Sequence, residues 1–411
     1  MDRFIAIFVF TFISCTGFSQ RTQLDYYINN AKQSSPLLKG YLNQVQLNSL
    51  DSMLVLAAYR PQVTGNSLAT YAPVIGGFGY DGAITNGGNF TALVGVNKQI
   101  PNRRTLRTQM LNLQLQSQSS INTYHITTQD LQKTIITQYI TAYGDLKQLE
   151  FTNEVYDLLS KEEIVLKKLT QKNVYREVDY LAFLVTLQQQ KFQAKQQSII
   201  YRNDVATLNY LSGVLDTSIV TLEDPALSLK TLPGISNSVF FKQFEYDSLK
   251  LAVSRAIIDY NYRSKFNIFG DAGFNSSYTN FSYKNFGTSF GVSAFIPIYD
   301  GKQRRLQYRK IDIQERDRVN KRDFFLNQYN QQIAQLTQQL QETEELISDI
   351  DKQLKFTKTL IEVNAKLLQT GEARITDFVL ALNTYITATN LIAQNRISRL
   401  QIINQINYWN R

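Results

Sequence analysis

The residue types that usually carry chemistry are scarce in this chain. Its 411 residues include one histidine, His125, and one cysteine, Cys15. A metal centre draws on several His, Cys or clustered carboxylate ligands, and a Ser or Cys nucleophile needs a base beside it. His125 lies in a polar helical stretch and reads as an ordinary exposed residue. There is no Gly-rich phosphate loop. The inventory therefore yields no catalytic residue, no cofactor and no metal, and gives an enzyme reading no site to argue from. Apart from Met1, the only methionines are Met53 and Met110, which argues against a soft-metal relay. The net charge of +9 comes from scattered Lys and Arg, as on solvated helix faces, and not from a nucleic-acid patch. What remains is the chemistry of turns and caps. In Ile296-Pro297-Ile298-Tyr299-Asp300-Gly301-Lys302-Gln303-Arg304-Arg305 the proline ends ladder pairing and Asp300-Gly301 forms a turn. In Leu368-Gln369-Thr370-Gly371-Glu372-Ala373-Arg374-Ile375-Thr376-Asp377-Phe378-Val379-Leu380-Ala381, Gly371 permits a positive φ and Thr376 or Asp377 caps the next helix.

The elements that must position these turns are long. Residues 302–370 contain neither Gly nor Pro, and as one helix would reach roughly 100 Å. One heptad position is apolar throughout: Leu326, Ile333, Leu340, Ile347, Leu354, Ile361 and Leu368. The companion row is mixed: Tyr329, Leu336, Thr343, Ile350, Thr357 and Asn364. Such a repeat calls for partner helices of similar length, and the polar entries predict that one side of the seam is wet or loosely packed. Residues 24–59 have helical spacing up to Pro61. Residues 62–99 hold two strand-like runs, the second alternating Phe90, Ala92, Val94, Val96 against Thr91, Leu93, Gly95, Asn97. A long helix from Arg103 to about Lys172, a polar turn, and a helix from Val178 to Leu211 with Gly213 as its C-cap complete the first half.

The order then repeats. A helix over 239–264 precedes a strand over 266–278 and its partner over 287–296. The long helix, a turn at 370–376 and a last helix over 377–409 follow. A shift of 198 lays Val178-Asp179-Tyr180-Leu181 on Thr376-Asp377-Phe378-Val379, and Asn209-Tyr210-Leu211 on Asn407-Tyr408-Trp409. This predicts an internal two-fold repeat: residues 21–213 and 239–411, each helix, strand pair, long helix and shorter helix, joined by a linker or middle belt over 214–238. Residues 1–20 read as a secretory signal, with Arg3 before an apolar run; lipidation at Cys15 is the alternative. No later segment has the roughly 18 apolar residues of a membrane helix. Ten-residue alternating strands are those of outer-membrane barrels. Four cannot close a barrel, and lipid does not tolerate an open edge, so three copies with twelve strands are expected. The fold class is thus an α+β membrane protein: long antiparallel α-helical barrel segments with four β-strands per protomer in a trimeric 12-stranded β-barrel. The rival is an exported structural coiled coil or tether without channel activity.

These features resemble the TolC family of outer-membrane efflux ducts over residues 21–411. The resemblance rests on the two turn motifs quoted above and on Asn209-Tyr210-Leu211-Ser212-Gly213 before the linker. It implies a homotrimer in outer-membrane lipid, extending into the periplasm and docking a periplasmic adaptor protein and an inner-membrane pump. The function implied is a passive exit duct of a tripartite efflux or type I secretion system, for small molecules or polypeptides. It further implies a strand-to-helix turn at Pro297, Asp300 and Gly301. An adaptor-contact tip is implied at Gly371, Glu372, Arg374 and Thr376, with Tyr175, Arg176 and Asp179 at the first tip. Asp377 matches an aspartate that constricts the pore of some members and favours cations. The next such aspartate falls on Leu380, a departure from a double ring, and Asp377 also reads as a plain helix cap. The first tip, residues 173–179, lacks a glycine matching Gly371.

Overall fold

The computed structural model describes residues 23–81, 87–216, 218, 220–230, 238–277 and 283–409. The signal segment and Cys15 lie outside them, as do residues 217, 219 and 231–237 of the linker. The elements are α1 (Leu24–Ser34), α2 (Pro36–Ala58), β1 (Gln62–Tyr71), β2 (Gly88–Gln99), α3 (Arg103–Gln171), α4 (Glu177–Ser212), α5 (Val239–Asn261), β3 (Lys265–Ser277), β4 (Phe286–Phe295), α6 (Gln303–Thr370) and α7 (Ile375–Trp409). Helices α3 and α6 run for 69 and 68 residues. Among the described residues no helix is long and apolar enough to cross a membrane.

The chain divides into two compact units. One holds α2, the four strands, α5 and the N-terminal parts of α3 and α6. Its sheet is antiparallel in the order β1-β2-β3-β4. The central pairing joins the two hairpins, with Leu93 opposite Gly273 and Gln99 opposite Asn267. β1 and β4 are the edges, and nearly every residue on them is exposed. On one face Ser289 Oγ donates to Asp271 Oδ2 at 2.7 Å across β3 and β4. The rings of Phe240, Phe241, Phe244, Phe325 and Tyr329 pack between α5 and α6.

The other unit holds α1, α4, α7 and the remaining parts of α3 and α6. One cluster joins Tyr27, Tyr139, Ile140, Tyr201 and Leu208 from α1, α3 and α4. A second joins Leu159, Leu166, Phe183, Leu368, Phe378 and Leu382 from α3, α4, α6 and α7. Two buried asparagines separated by the 198-residue shift both hold the connecting segment. Asn209 Nδ2 donates to the Asp216 carbonyl at 2.7 Å, and Asn407 Nδ2 to that of Ser228 at 2.8 Å.

Two expectations are corrected. The spacing over 24–59 predicts one helix, but the chain breaks at Ser35, which is extended with ψ 114. Pro36 is the cause: it disfavours the helical region for the residue before it and is tolerated only in a helix's first turn. The mixed heptad row of α6 is also not its wet side. Tyr329, Leu336, Thr343, Ile350 and Thr357 are all buried and Asn364 half-buried, while the apolar row is split, with Leu340, Ile361 and Leu368 buried and Leu326, Ile333, Ile347 and Leu354 half-buried. Threonine is tolerated there because its hydroxyl turns back on the helix. Thr343 Oγ1 donates to the Gln339 carbonyl at 2.7 Å and Thr357 Oγ1 to that of Leu354 at 3.0 Å.

Candidate functional site

The predicted tip residues are brought together where α3 turns into α4 and α6 turns into α7. Both long helices end in the same hydrogen-bonded closure. In the first turn Asn173 N–H reaches the Thr170 carbonyl at 2.9 Å and Val174 N–H reaches Leu169 at 3.0 Å. In the second, Gly371 N–H reaches Leu368 at 3.3 Å and Glu372 N–H reaches Leu367 at 2.9 Å. These are paired five-to-two and six-to-one closures around a left-handed residue. Gly371 has φ +83 and Asn173 has φ +60. The missing glycine of the first tip is thus replaced by asparagine, the side chain that best tolerates this conformation after glycine.

The entry into the returning helices also matches. Arg176 pairs with Asp179 through Nε at 2.8 Å and Nη2 at 2.9 Å, in bidentate geometry. Arg374, at the equivalent position, lies 3.5 Å from Asp377. The Arg176 guanidinium holds the Asp179 carboxyl below the usual carboxylate range. Both pairs are solvent-facing, so each contributes little to stability. α7 begins at Ile375, which puts Thr376 and Asp377 inside its first turn rather than ahead of it. There Asp377 faces the positive end of the helix dipole. Asp377 and Leu380 are both exposed and three residues apart, so they share one helix face. Glu372 and Arg374 are exposed as well, and Gly371 is half-buried.

Tyr175 ties the two turns together. Its hydroxyl lies 2.8 Å from the Leu368 carbonyl and 2.9 Å from the Ala373 carbonyl, and burial raises its pKa. Val174 Cγ1 would lie 3.0 Å from a methyl group added at Gly371. Beneath them Glu162, only 5% exposed, accepts from Gln369 Nε2 at 3.0 Å. Burial raises its carboxyl, opposed by that amide. Tyr180 donates to Glu163 at 2.6 Å, and burial followed by that carboxylate pushes its hydroxyl up to about 12. Sequence reasoning missed the two Arg–Asp pairs and the tyrosine bridge. The signal was available: the 198-residue shift lays Arg176 on Arg374 and Asp179 on Asp377.

The strand-to-helix turn lies in the other unit. Asp300 accepts from the Lys302 N–H at Oδ1 and the Arg304 N–H at Oδ2, both at 2.9 Å. One carboxylate thus satisfies two free donors at the start of α6. Gly301 and Lys302 take φ +61 and +68. Arg304 and Tyr308 both bond to Asp259 of α5, which holds the helix start against its neighbour. Pro297 falls just past the end of β4, in the segment that carries the chain out of the sheet.

No protein-family model and no curated protein matches the chain. Solved structures do. The chain is similar to the outer membrane protein VceC from Vibrio cholerae at TM-score 0.74 and 13% identity, over 95% of this chain and 97% of that one. The outer-membrane channel OprN gives 0.74 and 12%, over 94% and 90%. The CmeC outer membrane channel of Campylobacter jejuni gives 0.73 and 11%, over 94% and 85%. The fold is that of outer-membrane channels, predominantly helical with one four-stranded antiparallel sheet, over nearly the whole described chain.

Proposed function

We propose that this chain, which carries the outer-membrane channel fold, is one protomer of a passive, homotrimeric exit duct. Three copies contribute twelve strands to one barrel in outer-membrane lipid, and their long helices continue it as a helical barrel in the periplasm. Residues 21–213 and 239–411 are its two structural repeats, joined by the middle belt over 214–238. The duct passes small molecules or polypeptides exported by an inner-membrane pump, with a periplasmic adaptor seated on the helix-end turns. The observation that carries this reading is the sheet: hairpins from both halves pair through β2 and β3 yet leave β1 and β4 open. An open edge is not tolerated in lipid, whereas a ring of copies removes it.

At the tips, Gly371, Glu372, Arg374 and Thr376, with Tyr175, Arg176 and Asp179, form the adaptor-contact surface. Asp377 and Leu380 face the constriction, with Asp377 supplying one ring of carboxylates that favours cations. No side chain acts as a catalyst.

The test combines location and conductance. The full chain should fractionate with the outer membrane and open cation-selective channels in planar bilayers. Asp377→Ala should change cation block or selectivity without changing location. Recovery in the soluble fraction without channels would replace the duct with the tether. Unchanged currents in Asp377→Ala would remove only the gate.

A further inference from the structure

In the unit that contains the sheet, α2, α3 and α5 line an open surface cleft of about 700 Å³, within the size range of small-molecule sites. Leu37, Tyr41, Gln44 and Asn48 follow the helical spacing of one α2 face, and Ser119 and Thr123 face them from α3. The inner end of this cleft has an excess of hydrogen-bond donors. Asn48 is 2% exposed. Its Oδ1 accepts from Gln44 Nε2 at 3.2 Å, but its buried Nδ2 has no acceptor. A buried amide left this way is costly, since its lost hydration is not replaced.

Ser119, 6% exposed, accepts from Lys250 Nζ at 2.6 Å and Gln243 Nε2 at 3.2 Å. Both lone pairs are thus used, and the hydroxyl proton is left to donate. The Lys250 ammonium keeps a further N–H, because Asp247 Oδ1 stands at 3.5 Å, the long end of any hydrogen bond. The Asp247 carboxylate also accepts from Gln243 at 3.2 Å, so it is shared. The opposite end is apolar, formed by Pro36, Leu37 and the Tyr41 ring.

We propose that this cleft is a binding site for a small amphiphilic carboxylate. Its head accepts from Asn48 Nδ2, Ser119 Oγ–H and Lys250 Nζ, and its apolar body lies along Pro36, Leu37 and Tyr41. Neutral amide and hydroxyl donors with one ammonium suit a single negative charge better than a phosphate, which would call for more cationic partners. The site is separate from the helix-end turns and does not depend on the conduit reading.

Calorimetric titration of the full chain in maltoside micelles with 2-naphthoate tests it, with 2-naphthamide as the uncharged isostere. Saturable binding at one site per chain is expected, at least tenfold tighter for naphthoate. Lys250→Gln should abolish that preference. Asn48→Asp, nearly identical in shape, should weaken naphthoate at least tenfold by directing a carboxylate at the ligand head, while leaving naphthamide within about twofold. If Lys250→Gln fails to fold, Asn48→Asp alone decides. Equal binding of the two probes, or naphthoate binding unchanged in either folded variant, would overturn the site.

Discussion

Asp145 of α3 lies beside Asp204 of α4, and the two carboxyls are flanked by amides. Gln197 Nε2 donates to Asp145 Oδ1 at 3.2 Å and Gln138 Nε2 to Asp204 Oδ1 at 3.1 Å, while Asp145 Oδ2 is buried without a partner. Burial and then Asp204 push the Asp145 carboxyl from 3.8 up to about 7. The folded chain therefore keeps a proton that the unfolded chain loses near pH 4. This group's contribution is complete below pH 4 and is lost as pH rises through about 7. Thermal stability should fall between pH 5 and 7.5, and Asp145→Asn should flatten that slope; an equal slope in the variant would refute the raised Asp145 carboxyl. At the tip, Gly371→Ala forces a side chain into φ +83 against Val174 and should cost about 1–2 kcal/mol. Asn173→Gly, relieving the same conformation in the other turn, should be neutral or stabilising in the same melts. Single residues were unevenly legible. Pro297 and Asp300 act as their types dictate. The role of Asn173 was hidden because asparagine fits many loop conformations, and buried Thr343 and Thr357 mimic exposed residues in composition alone.

At the scale of elements, alternation located β2, β3 and β4 to within a residue or two, whereas β1 was read only as a strand-like run before the turn-rich stretch and ends at Tyr71. The sequence paired the strands within each hairpin, as observed, but not the two hairpins through β2 and β3, because a period of two is indifferent to order and register. That choice is visible at Gly273 on β3. It has φ +154, and an added Cβ would lie 2.1 Å from the Ala92 carbonyl of β2. The two hairpins approach each other here more closely than any other residue allows. Gly273→Ala should therefore split the β2–β3 ladder and abolish the heat-modifiable band of a folded barrel on a detergent gel. Gly287→Ala, with nothing within 4 Å, should keep that band; if both variants keep it, the close approach is not required. The helices were legible because length and missing Gly and Pro are unambiguous. Their kink at Ser35 was written in Pro36 but outweighed by the apolar spacing on either side.

For the whole molecule, the 198-residue shift predicted a repeat, and the two tip turns it superposes carry the same closure. On the proposed assembly, the bare edges β1 and β4 of one copy meet those of its neighbours. With Cys15→Ser as background, Ser67→Cys on β1 combined with Thr288→Cys on β4 should give cross-linked dimers and trimers with a short bismaleimide. Each single-cysteine chain should stop at dimers. Monomers alone from the double variant in membranes would argue that the edges never meet.

Those bare edges have a further consequence in time. β1 and β4 are each ten residues long and paired on one side only, so every second residue leaves its backbone groups facing outward, the kind of surface on which chains stack without limit. On the exit-duct reading, a single copy carries this hazard in water until the ring closes. Local abundance then accelerates correct ring closure and misdirected stacking alike. Which outcome dominates depends on how quickly newly exported copies find each other at the lipid surface, so escort during transit matters as much to a working ring as the final stability of its barrel.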